Sequence, residues 1–211
     1  MILHNFIVFE GIDGAGTSTQ LARLKTRADS DRFFFTAEPT DLPTGRFLRN
    51  MLQGDFALDP RTAAFLFAAD RAEHIWGKNA AGNDIGIESI CKTGKIVVSD
   101  RYVFSSLAYQ SINCGFGLPA RLNQDFPLPE LVFFFDLSPE TALNRVDGRG
   151  AKRELYEDEC FLCKVRNAYQ DVFAHYKDSG MKIVTLDAAE SADSVEAKIA
   201  SEIKACFAEC R

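Results

Sequence analysis

Short blocks of continuous apolar residues recur along this chain, and between them apolar positions return at three-and-four spacing. Phe6-Ile7-Val8-Phe9 runs unbroken into Glu10-Gly11, the pattern of a strand buried on both faces and closed by a glycine. Ser18 to Ala28 then predicts a helix with Leu21 and Leu24 on one face. Phe33 to Thr36 predicts a second strand, ending before Glu38-Pro39. Thr44 to Gln53 reads as a helix stopped by Gly54, and Pro60 opens a long one on which Ala63, Ala64, Phe67, Ala68 and Arg71 recur at helical spacing. A further helical piece ends at Lys92 before Gly94.

Ile96 to Ser99 predicts a third strand, followed at once by Asp100-Arg101-Tyr102. Leu131 to Leu137 predicts a fourth. Ser138 is then placed to cap a helix with Pro139 in its first turn. Arg149 to Glu154 is a short polar and basic segment. Leu155 to Lys177 predicts an amphipathic helix, Lys182 to Leu186 a fifth strand, and Ser194 to Cys210 a final helix. This alternation implies an α/β fold, a five-stranded parallel sheet with helices on both faces. Asn113 to Pro129, rich in Gly and Pro, reads as a surface excursion. With no repeats and no linker, residues 1–211 are expected to form one domain.

Composition narrows the class. Of 211 residues, 46% are hydrophobic and 26% charged, which excludes a disordered or collagen-like chain. No apolar run approaches the ~18 residues of a membrane span. The start, MILHNFIVFEG, has no basic region or cleavage site of a signal peptide, so a cytoplasmic protein is expected. A net charge of −6 argues against a nucleic-acid-binding face, which needs a basic surface. Six cysteines without a secretory signal are expected to be free thiols. Cys160/Cys163 and Cys206/Cys210 could be read as zinc ligands, but their helical spacing favours small core hydrophobes.

Ligands of a parallel sheet bind outside the carboxyl ends of its strands. Three polar clusters fall there. After the first strand, Gly11 to Thr19 fits the phosphate-loop pattern at Gly11, Gly16 and Ser18, with Thr17 where that pattern has lysine. Its glycines let backbone amides wrap phosphate oxygens, and Ser18 is placed to reach Mg²⁺. After the second strand come Glu38, then Arg49 on the next helix, and Phe67 and Arg71 four apart on one helical face, able to stack and hydrogen-bond a base. After the third come Asp100, placed like a metal-shell carboxylate, Arg101, able to clamp phosphate, and Ser105, Ser106, Tyr109 and Gln110.

FEGIDGAG-x-ST-Q, EP, L-R, LF-AADR-E, SDRYVFSSLAYQ and FFFDLSPETALNR, in that order, resemble a thymidylate kinase. Deoxynucleoside kinases share the loop but carry E-R-S where this chain has Asp100-Arg101-Tyr102. The resemblance implies the fold of phosphate-loop nucleoside triphosphatases and in-line transfer of the ATP γ-phosphoryl group to the 5′-phosphate of dTMP, with Mg²⁺. It places ATP on Gly11, Asp13, Gly14, Ala15, Gly16, Thr17, Ser18 and Thr19. Asp13 would also take the sugar 3′-OH, and Glu38 and Arg49 would surround the acceptor phosphate. Phe67 would stack on thymine while Arg71, Ser106 and Gln110 contact its edge, and Tyr109 would crowd the 2′ position. Ser18 and Asp100 would form the metal shell, and Arg101 would lie between the two phosphate groups. A lid around residues 148–156 carries Arg149, Lys152 and Arg153. Leu155 stands where the family often has arginine. Arg153 first, and Arg149 second, are therefore expected to supply the charge that Thr17 cannot. A homodimer is expected through the apolar face of the 60–78 helix. Two other readings stay open from the residues: a nucleotide binder with weak or lost catalysis, and a kinase for another nucleoside monophosphate.

Overall fold

The computed structural model describes residues 1–27, 29–148 and 158–207. Five strands, β1 (Ile2–Gly11), β2 (Phe33–Ala37), β3 (Ile96–Asp100), β4 (Leu128–Asp136) and β5 (Lys182–Asp187), form one sheet in the order β2-β3-β1-β4-β5. Every pairing is parallel, as the β-α alternation predicts. Phe6 and Phe9 of the central strand β1, and Phe133 and Phe135 of its neighbour β4, are fully buried. The rings of Phe9 and Phe133 meet edge to face at 5.4 Å. β1 and β4 begin earlier than their apolar blocks. Ile2 and Leu3 pair with Leu128 and Pro129, and the register then breaks before Ile7. Asn5 sits at the break with φ 61°, its N–H donating to Glu130.

Helices α1 (Thr17–Lys25), α2 (Pro43–Leu52), α3 (Pro60–Trp76) and α4 (Ile87–Lys92) connect the first three strands. α8 (Pro139–Asp147), α9 (Glu159–His175) and α10 (Ala192–Phe207) accompany the last two. Ser138 caps α8 as its sequence position indicates, accepting from the Thr141 N–H. Asp158 caps α9, accepting from the Phe161 N–H. Between β3 and β4 lie two short helices, α5 (Val103–Ser105) and α6 (Ser111–Cys114), a π-helical turn over Ser106–Gln110, and α7 (Gly117–Asn123). A π-turn interrupts regular α geometry and is common at functional sites. Here it buries Ser106, Tyr109 and Gln110 together.

Two expectations need correction. The stretch from Asn113 to Pro129 is a surface excursion only in part: Gly115 to Gly117, Arg121, Gln124 and Asp125 are exposed, but Pro119, Asn123, Phe126 and Pro127 are buried, with α7 lying against α3. Cys160 and Cys163 are not core hydrophobes either; both are exposed on the first two turns of α9, while Cys206 is half-buried. Arg149, Lys152, Arg153, Leu155 and Cys210 lie outside the described residues.

Candidate active site

The carboxyl ends of β1, β2 and β3 converge, and the loop after β1 rises between two cavities. Gly14 has φ 85°, and a Cβ there would lie 2.5 Å from the Ala142 carbonyl oxygen, so only glycine fits. Gly16, at φ 100°, turns the chain into α1. The amides of Gly14, Gly16, Thr17 and Ser18 meet no acceptor among the described residues. Such free amides at a helix N-terminus make an anion cradle.

The larger cavity, about 340 Å³, is lined by Asp13, Ser18, Glu38, Arg49, Phe67, Arg71, Asp100, Arg101, Ser106, Tyr109 and Gln110. All three polar clusters thus meet in one place. Gly14, Ala15, Gly16 and Thr19 face the other cavity, about 170 Å³, with Gln20, Arg145 and the Ala188–Val195 region. Arg145 Nη2 donates to the Ala188 carbonyl at 2.9 Å, and Gln20 Oε1 is buried there with no donor among the described residues. Gly11 lines neither wall; its carbonyl accepts from Arg101 Nη1 at 3.0 Å.

Arg71 is the most enclosed cation of the site, at 1% exposure. Its Nε and Nη2 donate to Glu38 Oε2 at 2.9 and 2.7 Å. The other oxygen of Glu38 bonds His74 Nδ1 at 3.0 Å, and His74 Nε2 lies 2.6 Å from the Thr36 hydroxyl. Glu38 is therefore committed to Arg71 and His74 rather than presented to a phosphate, which an anion would repel. Asp70 accepts from both the N–H and the hydroxyl of Thr40, at 2.8 and 2.6 Å. Asp70, Arg71 and His74, from successive turns of α3, thus grip the β2 exit. Arg49 faces the cavity from α2, donating to the Pro39 carbonyl, with its Nε buried and unpaired among the described residues.

Arg101 has φ 71°, a conformation costly for any residue but glycine. The turn is held from below by Glu10, which accepts from the N–H groups of Tyr102 and Ser105 at 2.8 and 3.2 Å. Glu10 also accepts from the hydroxyls of Ser105 and Tyr169, at 2.6 and 2.8 Å. Burial dominates its electrostatics and pushes the carboxyl up to about 7, against the opposing pull of Ser105 and Arg101. Arg101 Nη2 reaches Asp13 at 2.6 Å, and the second Asp13 oxygen accepts from Tyr109 at 3.1 Å. At the end of β3, burial raises the Asp100 carboxyl pKa while Arg101 and the Thr17 and Ser18 hydroxyls oppose the rise. Ser18 Oγ lies 3.4 Å from Asp100 Oδ2.

Sequence reasoning placed the cavity's wall but missed its supports: Glu10, Asp70, His74, Asn123 and Tyr169, and Arg145 and Gln20 on the other side. Glu10 was visible as a charge inside an apolar block. Asn123 and Tyr169 carried no local signal.

Comparison with known proteins agrees. The thymidylate kinase family model matches residues 9–199. A Treponema pallidum protein, named provisionally as a thymidylate kinase, is 42% identical over 206 residues, covering 96% of each chain. The thymidylate kinase of Leptospira interrogans is 36% identical, covering 79% of this chain and 80% of its own. In fold, the chain is similar to the Candida albicans thymidylate kinase, with a TM-score of 0.75 over 95% of this chain and 91% of that one at 23% identity. The chain belongs to the thymidylate kinase family, and its reaction is the phosphorylation of dTMP to dTDP by ATP.

Proposed function

We propose that dTMP occupies the 340 Å³ cavity and ATP the loop and the 170 Å³ cavity, with transfer beside Arg101. The observation that carries the assignment is the polar pair on the cavity wall. Gln110 brings a side-chain amide with no hydrogen-bond partner among the described residues, free to turn its oxygen to a ligand, and Arg71 is a fixed donor on the same wall. A base offering an N–H beside a carbonyl satisfies both, which fits thymine; cytosine presents the opposite order. Leaving either group unpaired on binding would cost about 1–3 kcal/mol. Phe67 supplies the stacking face, and Tyr109, tied to Asp13, borders the sugar.

The nucleophile is an oxygen of the acceptor phosphate, whose second pKa is about 6, so no general base is needed at neutral pH. Catalysis then rests on positioning and on positive charge. Arg101 spans from the phosphate loop to the acceptor cavity and is proposed to bridge both phosphate groups. Arg49 is proposed to hold the acceptor phosphate. The hydroxyl of Ser18 and the carboxylate of Asp100 are hard oxygen donors that fit Mg²⁺, and these two residues would hold it. When bound, the ion neutralises phosphate charge. Arg153 and Arg149 of the lid segment remain the proposed source of the charge that Thr17 lacks.

The chain is proposed to act as a single cytoplasmic domain and as a homodimer. No described helix is long and apolar enough to cross a membrane. Phe65, Ala69 and Trp76 expose an apolar stripe along α3, with Phe65 55% and Trp76 44% accessible. Sedimentation equilibrium on wild type and Phe65→Asp reads the dimer directly; a wild-type monomer at micromolar concentration refutes it. A coupled assay with ATP and each of dTMP, dUMP, UMP and dCMP tests the acceptor. The expected order puts dTMP first and dUMP weakly after it, because a methyl pocket gives only about 1–3 kcal/mol. Equal turnover of dTMP and dCMP would remove the base assignment.

A further inference from the structure

We infer that Asn123, from the segment between β3 and β4, sets base selectivity by rationing the N–H groups of Arg71. The inference rests on the proposed placement of the base against Arg71. A guanidinium has five N–H donors. The Nε–H of Arg71 goes to Glu38, and the two on Nη2 are shared among Glu38, the Tyr102 carbonyl and the Ser106 hydroxyl. Nη1 donates to Asn123 Oδ1. One Nη1–H remains for a ligand.

Asn123 is built to hold that arrangement. Its Nδ2 donates to the Pro119 carbonyl at 2.8 Å, one helical turn back in α7, which fixes which end of the amide faces Arg71. The side chain is 7% exposed. The rings of Tyr102 and Phe126 box the guanidinium carbon at 5.4 and 5.7 Å, and Trp76 stacks on Phe126 at 5.1 Å. Glu38 fixes one edge of the guanidinium and Asn123 the other, so it can neither rotate nor tilt. A single donor with a single direction reads one carbonyl and rejects an amine in its place. Without Asn123, a second Nη1–H is freed and the outer edge can swing, so the guanidinium can retreat from an amine and donate to the ring-nitrogen acceptor beside it.

Asn123 touches no substrate on this reading; it is a positioning residue. The test uses Asn123→Ala and Asn123→Leu, the second filling the volume without an acceptor. Both are expected to raise the dTMP KM about tenfold, leave kcat within about threefold, and lower the dTMP:dCMP ratio of kcat/KM by about tenfold or more. Selectivity retained in either folded variant overturns the inference. If wild type itself fails to distinguish dTMP from dCMP, the base assignment falls first, and the two failures are thereby separable. Wild type alone provides a check that needs no variant. With both ends of the guanidinium pinned, rotation about its Cζ–Nη bonds is slow, and the Arg71 Nη protons give separate NMR resonances. A single averaged resonance overturns the inference even if neither variant folds.

Discussion

Replacing Glu10 by glutamine should make the protein more stable and less active at pH 8, while changing stability little at pH 5. Glu10 is fully buried beneath the strained turn at Arg101, and burial lifts its carboxyl from 4.5 to about 7. Because the folded state holds this proton more tightly than the unfolded chain, the group's stabilising contribution is full below about pH 4.5. It is lost as pH rises to about 7. That interval corresponds to about 3 kcal/mol, at 1.36 kcal/mol for each pH unit of displacement. Glutamine has no proton to lose. Its carbonyl can still accept from the N–H groups of Tyr102 and Ser105, and the Ser105 and Tyr169 hydroxyls can rotate to accept from its amide. Urea unfolding of both proteins from pH 5 to 8 gives the difference directly. Relative to wild type, the variant should gain about 2–3 kcal/mol across that range. Activity should move the other way. Arg101 Nη1 shares the Ser105 and Tyr169 hydroxyls with Glu10, at 3.1 and 3.3 Å, so redirecting those hydroxyls loosens the arginine. A stability difference that stays constant within about 0.5 kcal/mol from pH 5 to 8 would refute the argument.

Arg101→Ala should lower kcat and kcat/KM together, because a phosphate bridge strengthens in the transition state; a folded variant with unchanged kcat removes Arg101 from the mechanism. Arg153→Ala, or failing that Arg149→Ala, should cost about 10²-fold in kcat at saturating ATP and dTMP, the scale for losing a preorganised charge. Thr17→Lys should partly restore that loss, and near-full kcat in both arginine variants and in Lys152→Ala would show that the lid does not compensate.

The sheet was legible because its strands are apolar on both faces, and such blocks bounded by glycine have few other readings. The cavity wall was legible for a related reason. Residues that meet a ligand gather at strand ends, so Asp13, Glu38, Asp100 and Arg101 fall where topology predicts. Roles were harder to read than places. Glu38 reads as a neighbour of the acceptor phosphate, yet both its oxygens are taken by Arg71 and His74. Only the packing of α3 against the β2 exit reveals that the carboxylate faces inward. Strand starts were misplaced where pairing, rather than hydropathy, extends them, as at Ile2 and Leu128.

The supports of the site obey no such rule, and the reason is physical. A side chain that meets a ligand must come from one of a few strand ends. A side chain that holds it can come from any element that packs behind. Tyr169 reaches Glu10 from 159 positions away, and Asn123 reaches Arg71 from 52. Both residues look ordinary in sequence, a core aromatic on an amphipathic helix and an amide in a loop rich in Gly and Pro. Yet a guanidinium in a buried wall has five donors to satisfy, and the exposed wall supplies too few acceptors. Burying Arg71 in the base-facing wall therefore requires acceptors from behind it. Glu38 and Ser106 provide some, and the rest must come from whichever segment closes the back of the cavity. That segment is the one between β3 and β4, and its Gly and Pro residues are compatible with this task. They let α7 turn back against α3 and bring Asn123 to the arginine.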